Sequence, residues 1–154
     1  MSYQLFSNEW VEQFSSEVKK GPSLERRQAV DDHYWQWIET CKEKMDIRLA
    51  LVLTEQNHLD RYAYFDLKKG EVADSHLGTE EERGTADFIL GGSKDDWFEI
   101  IKGKREITQN LMYRKLRLLQ GNLHGYFRGI YFFVEFLRAG TRVPTAFEAT
   151  QNLT

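Results

Sequence analysis

The chain predicts an α+β domain, with about five strands in one twisted, mainly antiparallel sheet and helices gathered on one face. Three observations carry this. Apolar residues recur at helical spacing from Trp10 to Met45, change to period two between Ile47 and Leu77, and return to helical spacing after Ser93. Short polar turns separate the first three strand-like runs, which favours antiparallel pairing of neighbours. No linker, repeat or low-complexity tract divides the 154 residues, a length that suits one compact domain with a full core.

The elements follow in order. Ser7 or Asn8 caps a first helix whose Trp10, Phe14 and Val18 fall on one stripe beside Val11, and Gly21-Pro22 stops it. A second helix from Ser23 aligns Val30, Tyr34, Trp37, Ile38, Cys41 and Met45. Arg26, Arg27, Asp31, Asp32, Gln36, Glu39, Lys42 and Glu43 take its solvated face. In the first strand Ile47, Leu49, Leu51 and Leu53 alternate with Arg48, Ala50, Val52 and Thr54, one dry face against a mixed one. Glu55 to His58 turns the chain into Tyr62–Leu67, and Lys69-Gly70 turns it into a weaker strand, Glu71–Leu77.

A polar segment then leads to a fourth strand, Thr85–Leu90, ended by Gly91-Gly92. Ser93 caps the next helix with Asp96 completing a capping-box pair, and Trp97, Ile100 and Ile101 form its apolar side. After the break at Lys102-Gly103-Lys104 come a short helical piece ending near Leu111-Met112-Tyr113, a fifth strand Leu116–Leu119 and the turn Gln120-Gly121-Asn122. The last helix runs from Leu123 to Leu137. Residues 139–154 are expected to form a loose tail.

That last helix carries more apolar surface than one packing face uses. Leu123, Tyr126, Phe127, Ile130, Phe133 or Val134, and Leu137 make one stripe, and Tyr131, Phe132 and Phe136 widen it. Such a helix must be covered on more than one side, by core plus a second copy or protein partner, or by an apolar ligand. Gly125 and Gly129, each costing about 1 kcal/mol relative to Ala in a helix, leave room for close approach of a backbone or ligand.

Charge and motif content narrow the function. A net charge of −3 and a pI near 5.8 advertise no surface for nucleic acid or anionic membrane. No apolar run approaches the roughly 20 residues of a membrane span, and the first residues lack a signal-peptide pattern. The lone Cys41 excludes an internal disulfide and fits a reducing, cytoplasmic setting. His33, His58, His76 and His124 are dispersed, with no HExxH, HxH or CxxC spacing, so no metal site is expected. Cys41 sits on an apolar stripe, no Gly-x-Ser-x-Gly elbow occurs, and Asp95 and Asp96 beside Gly91-Gly92-Ser93 oppose phosphate binding. Asp31-Asp32 and Glu80–Glu82 lie in solvated settings, where nothing raises a carboxyl pKa for acid–base work. No enzyme activity and no cofactor are expected.

The order strand, Gly turn, Trp97-bearing helix, Gly103 break, short helix, Lys115-Leu116 to Gly121 strand and closing helix resembles the lipid-binding domain of the type-two sterol carrier proteins. Phe6-Ser-Asn-Glu-Trp10 with Val11, Phe14 and Val18 is similar to their opening helix, so the resemblance spans about Phe6 to Leu137. The chain departs from the family at Arg105-Glu106, where an Asp-Pro pair is frequent. The resemblance implies an apolar tunnel between sheet and helices. From the first half of this stretch its lining would draw Phe88, Leu90, Trp97, Ile100, Ile101, Leu111 and Met112. From the second half it would draw Leu116, Leu118, Leu123, Tyr126, Phe127, Ile130, Tyr131, Val134 and Leu137. It also implies a non-catalytic role, binding and moving a fatty acyl, acyl-CoA, isoprenoid or sterol-like lipid, with transient membrane contact. The rival expectation is an accessory or scaffold protein of a lipid or isoprenoid biosynthetic complex that uses the last helix to bind a partner.

Overall fold

The computed structural model describes residues 2–22, 24–55, 59–102 and 117–147. Its elements are β1 (Tyr3–Gln4), α1 (Asn8–Lys20), α2 (Leu24–Ala29), α3 (Asp32–Lys42), β2 (Ile47–Thr54), β3 (Arg61–Lys68), β4 (Glu71–Gly78), a 3-10 turn (Glu80–Thr85) and β5 (Phe88–Ser93). They continue with α4 (Lys94–Lys102), β6 (Arg117–Gln120), α5 (Leu123–Arg128), α6 (Ile130–Gly140) and β7 (Thr145–Ala146). The five-stranded sheet has the order β4-β3-β2-β5-β6, and β1 pairs with β7 in a separate two-stranded ribbon.

Period-two patterning sets the sheet's two faces. Leu49 pairs with Phe65 and Phe88, and Leu51 with Ala63 and Leu90, so these side chains share the face toward the helices. The neighbours β2 and β3, β3 and β4, and β5 and β6 are antiparallel. Among the described strands of this sheet only β2 and β5 run parallel, because the 3-10 turn carries the chain across before β5 begins. The opposite face is apolar as well: Ala50, Val52, Tyr62, Tyr64 and Ile89 are fully buried. Near the 3-10 turn, the Tyr64 hydroxyl donates to the Thr79 carbonyl at 2.7 Å, and His76 stacks on the Tyr64 ring and meets Glu82 at 2.9 Å.

Ser7 caps α1 by accepting from Trp10 N, and Gly21, at φ +75°, ends it. Trp10, Val11 and Phe14 are buried against the sheet. The single second helix expected from Ser23 is two helices, and Ser23 itself lies outside the described residues. Asp31 adopts an extended conformation and its carboxylate accepts from His33 N at 2.8 Å, so it starts a fresh helix instead of continuing the old one. Trp37, expected on the dry stripe, is 53% exposed, and Ile38 is the buried residue of α3.

Two other boundaries shift. The strand expected over Thr85–Leu90 begins at Phe88 and runs through Gly91-Gly92 to Ser93. Crowding favours glycine there: a Cβ on Gly91 would lie 2.8 Å from Leu119 Cδ1 and 3.1 Å from Val52 Cβ. Ser93 and Asp96 form the expected reciprocal cap, Ser93 N to Asp96 Oδ2 at 2.9 Å and Asp96 N to Ser93 Oγ at 3.2 Å. The last helix breaks at Gly129 into α5 and α6.

The expectation of a loose tail fails over its first residues. Val143, Thr145 and Phe147 are buried, β7 pairs in parallel with β1, and Trp10 Nε1 donates to Thr145 Oγ1 at 3.0 Å. Residues 148–154 lie outside the described residues.

Glu135 knits the helical layer together. Its carboxylate, only 10% exposed, accepts from Arg26 at 2.9 Å, from the Tyr34 hydroxyl at 2.6 Å and from Arg138 at 3.3 Å. Burial and the adjoining carboxylate hold the Tyr34 phenol well above its ordinary pKa. Glu135→Gln keeps the shape and removes the charge facing two guanidinium groups. It is expected to destabilise the protein by about 1–3 kcal/mol in urea unfolding, whereas the same change at exposed Glu25 stays within about 0.5 kcal/mol.

Candidate ligand-binding site

Aromatic rings fill the interior between sheet and helices. Trp97 meets Phe6 at 5.3 Å, Phe6 stacks on Trp10 at 4.9 Å, and Trp10 meets Phe14 at 5.2 Å. Phe14 touches Phe65 and Phe136, and Phe136 leads through Phe132 and Phe133 to Phe88 and Tyr126. Trp97 is fully buried and its indole N–H donates to the Val52 carbonyl at 2.9 Å, which fixes it as an anchor of α4 on the sheet.

Space opens where this chain of rings ends. A cleft of about 360 Å³ lies between the C-terminal end of α3, the start of β2, the start of β5 and the α5–α6 junction. Met45, Ile47, Phe88 and Phe133 supply its apolar lining, Gly125 and Gly129 form one wall, and Thr40 and Cys41 face it from α3. Exposed Trp37, Lys44 and Arg128 form its rim. The volume falls at the small end of the roughly 300–1,000 Å³ usual for ligand sites.

Local sequence explains the opening. Asn122 caps α5, its Oδ1 accepting from Gly125 N at 2.9 Å, and the helix lasts six residues. Gly129 then adopts φ −100° and ψ 16°, outside helical values, and α6 starts at Ile130. A Cβ on Gly129 would sit 3.3 Å from Met45 Cε and 3.5 Å from Phe133 Cε2, so the missing side chain adds to the room between them. Burial raises the pKa of the Cys41 thiol, an effect opposed by the nearby charges of Arg128 and Lys44. The thiol donates a long hydrogen bond, 3.6 Å, to the Arg128 carbonyl and so bridges the two sides.

The residues expected to line a tunnel divide into groups. Phe88 lines the cleft. Tyr126 stands behind it, buried, with its ring 5.2 Å from Phe133 and its phenol pKa pushed up to about 12 by burial. Ile130 and Leu118 are half-buried against the core. Leu90, Trp97, Ile100, Ile101, Val134 and Leu137 are packed in the core itself. Tyr131 is 41% exposed and rests on Tyr34 at 4.9 Å. Leu111, Met112, Leu116 and the Arg105-Glu106 pair lie outside the described residues, as do the side chains of Leu123 and Phe127. The sequence reading missed Thr40, Lys44, Ile47, Arg128 and Phe133 as site residues. It had placed Trp37, Cys41 and Met45 at i, i+4 and i+8 on one helical stripe, the signal that could have found this wall.

Among the described residues no group of three or more His, Cys, Asp or Glu could hold a metal ion, and no helix is long and apolar enough to cross a membrane. An α+β frame of this topology with an apolar cleft under its closing helices leads to comparison with known families. The sequence profile of the SCP-2 sterol transfer family matches residues 42–125. The chain belongs to this family. The matched span holds β2 through β5, α4, β6 and the start of α5, and therefore the sheet side of the cleft.

Two solved structures share the fold of this SCP-2 chain. The crystal structure of sterol carrier protein 2 superposes with a TM-score of 0.70 at 17% identity, covering 91% of this chain and 99% of that one. The solution structure of a conserved hypothetical protein from Thermus thermophilus, described as possibly a sterol carrier protein, gives 0.68 at 17% identity, covering 95% and 94%. No curated relative matches this sequence. At such identity the likeness speaks for the backbone path, and the lining described above belongs to this chain's own residues.

Proposed function

We propose that this SCP-2 family member binds an apolar lipid chain in the cleft between α3 and the α5–α6 junction and transfers it without chemistry. The observation that carries the proposal is the hollow walled by Met45, Ile47, Phe88, Phe133, Gly125 and Gly129, open to water at a rim that holds Trp37. Moving a chain out of water into it releases roughly 25 cal/mol per Å² of apolar surface covered, enough to hold a lipid without a covalent step. The Gly129 junction is the moving part of the proposal, since a chain can enter or leave when α5 swings relative to α6. Residues expected in the tunnel but packed in the core, Trp97 and Val134 among them, join the helices to the sheet.

Catalysis has no support in the described site: its thiol, Cys41, has a raised pKa, and no histidine lies among the described lining residues to activate it or Thr40. The lone thiol also favours a reducing, cytoplasmic setting. The scaffold reading gains less support, because Phe132 and Phe136, two of the three rings that widen the stripe of the last helix, are buried within this chain, and the third, Tyr131, rests on Tyr34. The test is mass spectrometry of organic extracts from protein purified under native conditions, beside an unrelated control from the same cells. A bound lipid at near-stoichiometric amount is expected. Extracts indistinguishable from the control, together with no uptake of added acyl lipids, would overturn the proposal.

A further inference from the structure

We infer that Lys44 and Arg128 read an anionic head group at the rim of the cleft, so that its preferred ligand is a single-chain anionic amphiphile and not a neutral, sterol-like molecule. The inference rests on the ligand-binding reading of the same cleft. Eleven described residues line the hollow, and among them the only ionisable side chains besides Cys41 are these two cations. The chain as a whole has 24 acidic and 21 basic residues, so two bases without an acid among the described lining run against its overall balance. Neither cation is engaged in an ion pair among the described residues, and both are exposed and able to close on a head group.

They approach from opposite sides. Lys44 follows α3 and Arg128 ends α5, with Cys41 hydrogen-bonded to the Arg128 carbonyl between them. Both charges act on the Cys41 thiol, which places them within electrostatic reach of the interior. A chain seated on Met45, Ile47, Phe88 and Phe133 would thus present its head to two cations. A second hollow of about 330 Å³ between α1, α3 and α6 provides the contrast. There acids line the wall beside the bases, Lys42 is paired with Glu71 at 2.9 Å, and Arg142 is held by Glu17 at 3.0 Å. Lys44 and Arg128 have no such partner among the described residues, and the head group would be it.

The test measures affinity of the full chain for dodecanoate, dodecanol and dodecyltrimethylammonium, by calorimetry below micelle formation and at a pH where the carboxylate is ionised. Equal tails isolate the head group. Dodecanoate is expected to bind about tenfold tighter than dodecanol, with the ammonium weakest, as two exposed charge pairs allow. The combined Lys44→Ala and Arg128→Ala variant is expected to erase that difference between heads, with an unchanged urea midpoint showing that the fold is intact. Combining Lys44→Glu with Arg128→Glu is expected to reverse the order in favour of the ammonium. Equal binding of all three heads by the parent protein, or a carboxylate preference that survives both double variants, would overturn the inference and leave the lipid-binding reading standing. Binding of none of the three would overturn the lipid-binding reading, and this inference with it.

Discussion

Replacing Phe136 with alanine is expected to lower the unfolding free energy by about 3–5 kcal/mol, the range for deleting a buried aromatic side chain. Phe136 is 3% exposed and its ring lies 5.3 Å from Phe14, 5.1 Å from Phe65 and 6.1 Å from Phe132. It therefore joins α6 to α1 and to the helix-facing side of β3, and no small shift of one element can refill the space. A Cβ on the nearby Gly140 would lie 2.7 Å from the Phe14 ring, so α6 and α1 are already in close contact there. Tyr131→Ala, on the exposed side of the same helix, is expected to cost less than about 1 kcal/mol. Urea titrations at unchanged slope separate the two. A cost for Phe136→Ala no larger than that for Tyr131→Ala would show that the helical layer is not locked to the sheet through these rings.

That contrast within one helix shows what the sequence could and could not reveal. Period-two alternation at Ile47–Leu53 and Tyr62–Leu67 placed β2 and β3 correctly, because a register slip by one residue would expose a whole dry face. The caps at Ser7 and at Ser93 with Asp96 were legible for a similar reason: each is a local bond between residues three apart. The breaks at Asp31 and Gly129 were not. Both lie inside continuous apolar periodicity, and what decides them is a side-chain cap in one case and the non-helical backbone of Gly129 in the other. The docked tail was hidden too, since the Thr145 hydroxyl finds Trp10 across 135 positions of chain.

The candidate site was legible only in outline. Excess apolar surface on the last helix announced that something had to cover it, but helical spacing cannot distinguish a ring that meets other rings from one that meets a ligand. Phe133 and Phe136 are three apart on α6; one reaches the cleft wall, the other fills the core. Glycines were the better guide. Gly125 and Gly129 stood out because a helix loses stability at each, and both line the cleft.

Gly129→Leu is therefore the substitution expected to separate binding from folding most sharply. The backbone there has a negative φ open to any residue, and a Cβ would meet the movable Met45 methyl at 3.3 Å, the Phe133 ring at 3.5 Å and the Gly125 carbonyl at 3.7 Å. Beyond Cβ, the isobutyl group would project into a hollow of about 360 Å³ and occupy room that three or four ligand methylenes would otherwise use. At about 0.8 kcal/mol for each methylene the loss approaches 3 kcal/mol, or roughly a hundredfold weaker binding of an acyl probe. Stability is expected to stay level or rise slightly, because a glycine next to two helices is replaced by a good helix former. Gly125→Ala is the companion: its new methyl meets only ordinary contacts, Phe88 Cζ at 3.6 Å and Asn122 Cβ at 3.8 Å, so binding is expected to weaken no more than a few-fold. Probe titrations of both folded variants decide the matter. Full-strength binding by Gly129→Leu would place the lipid elsewhere in the molecule, because a chain cannot occupy the volume that the leucine has taken.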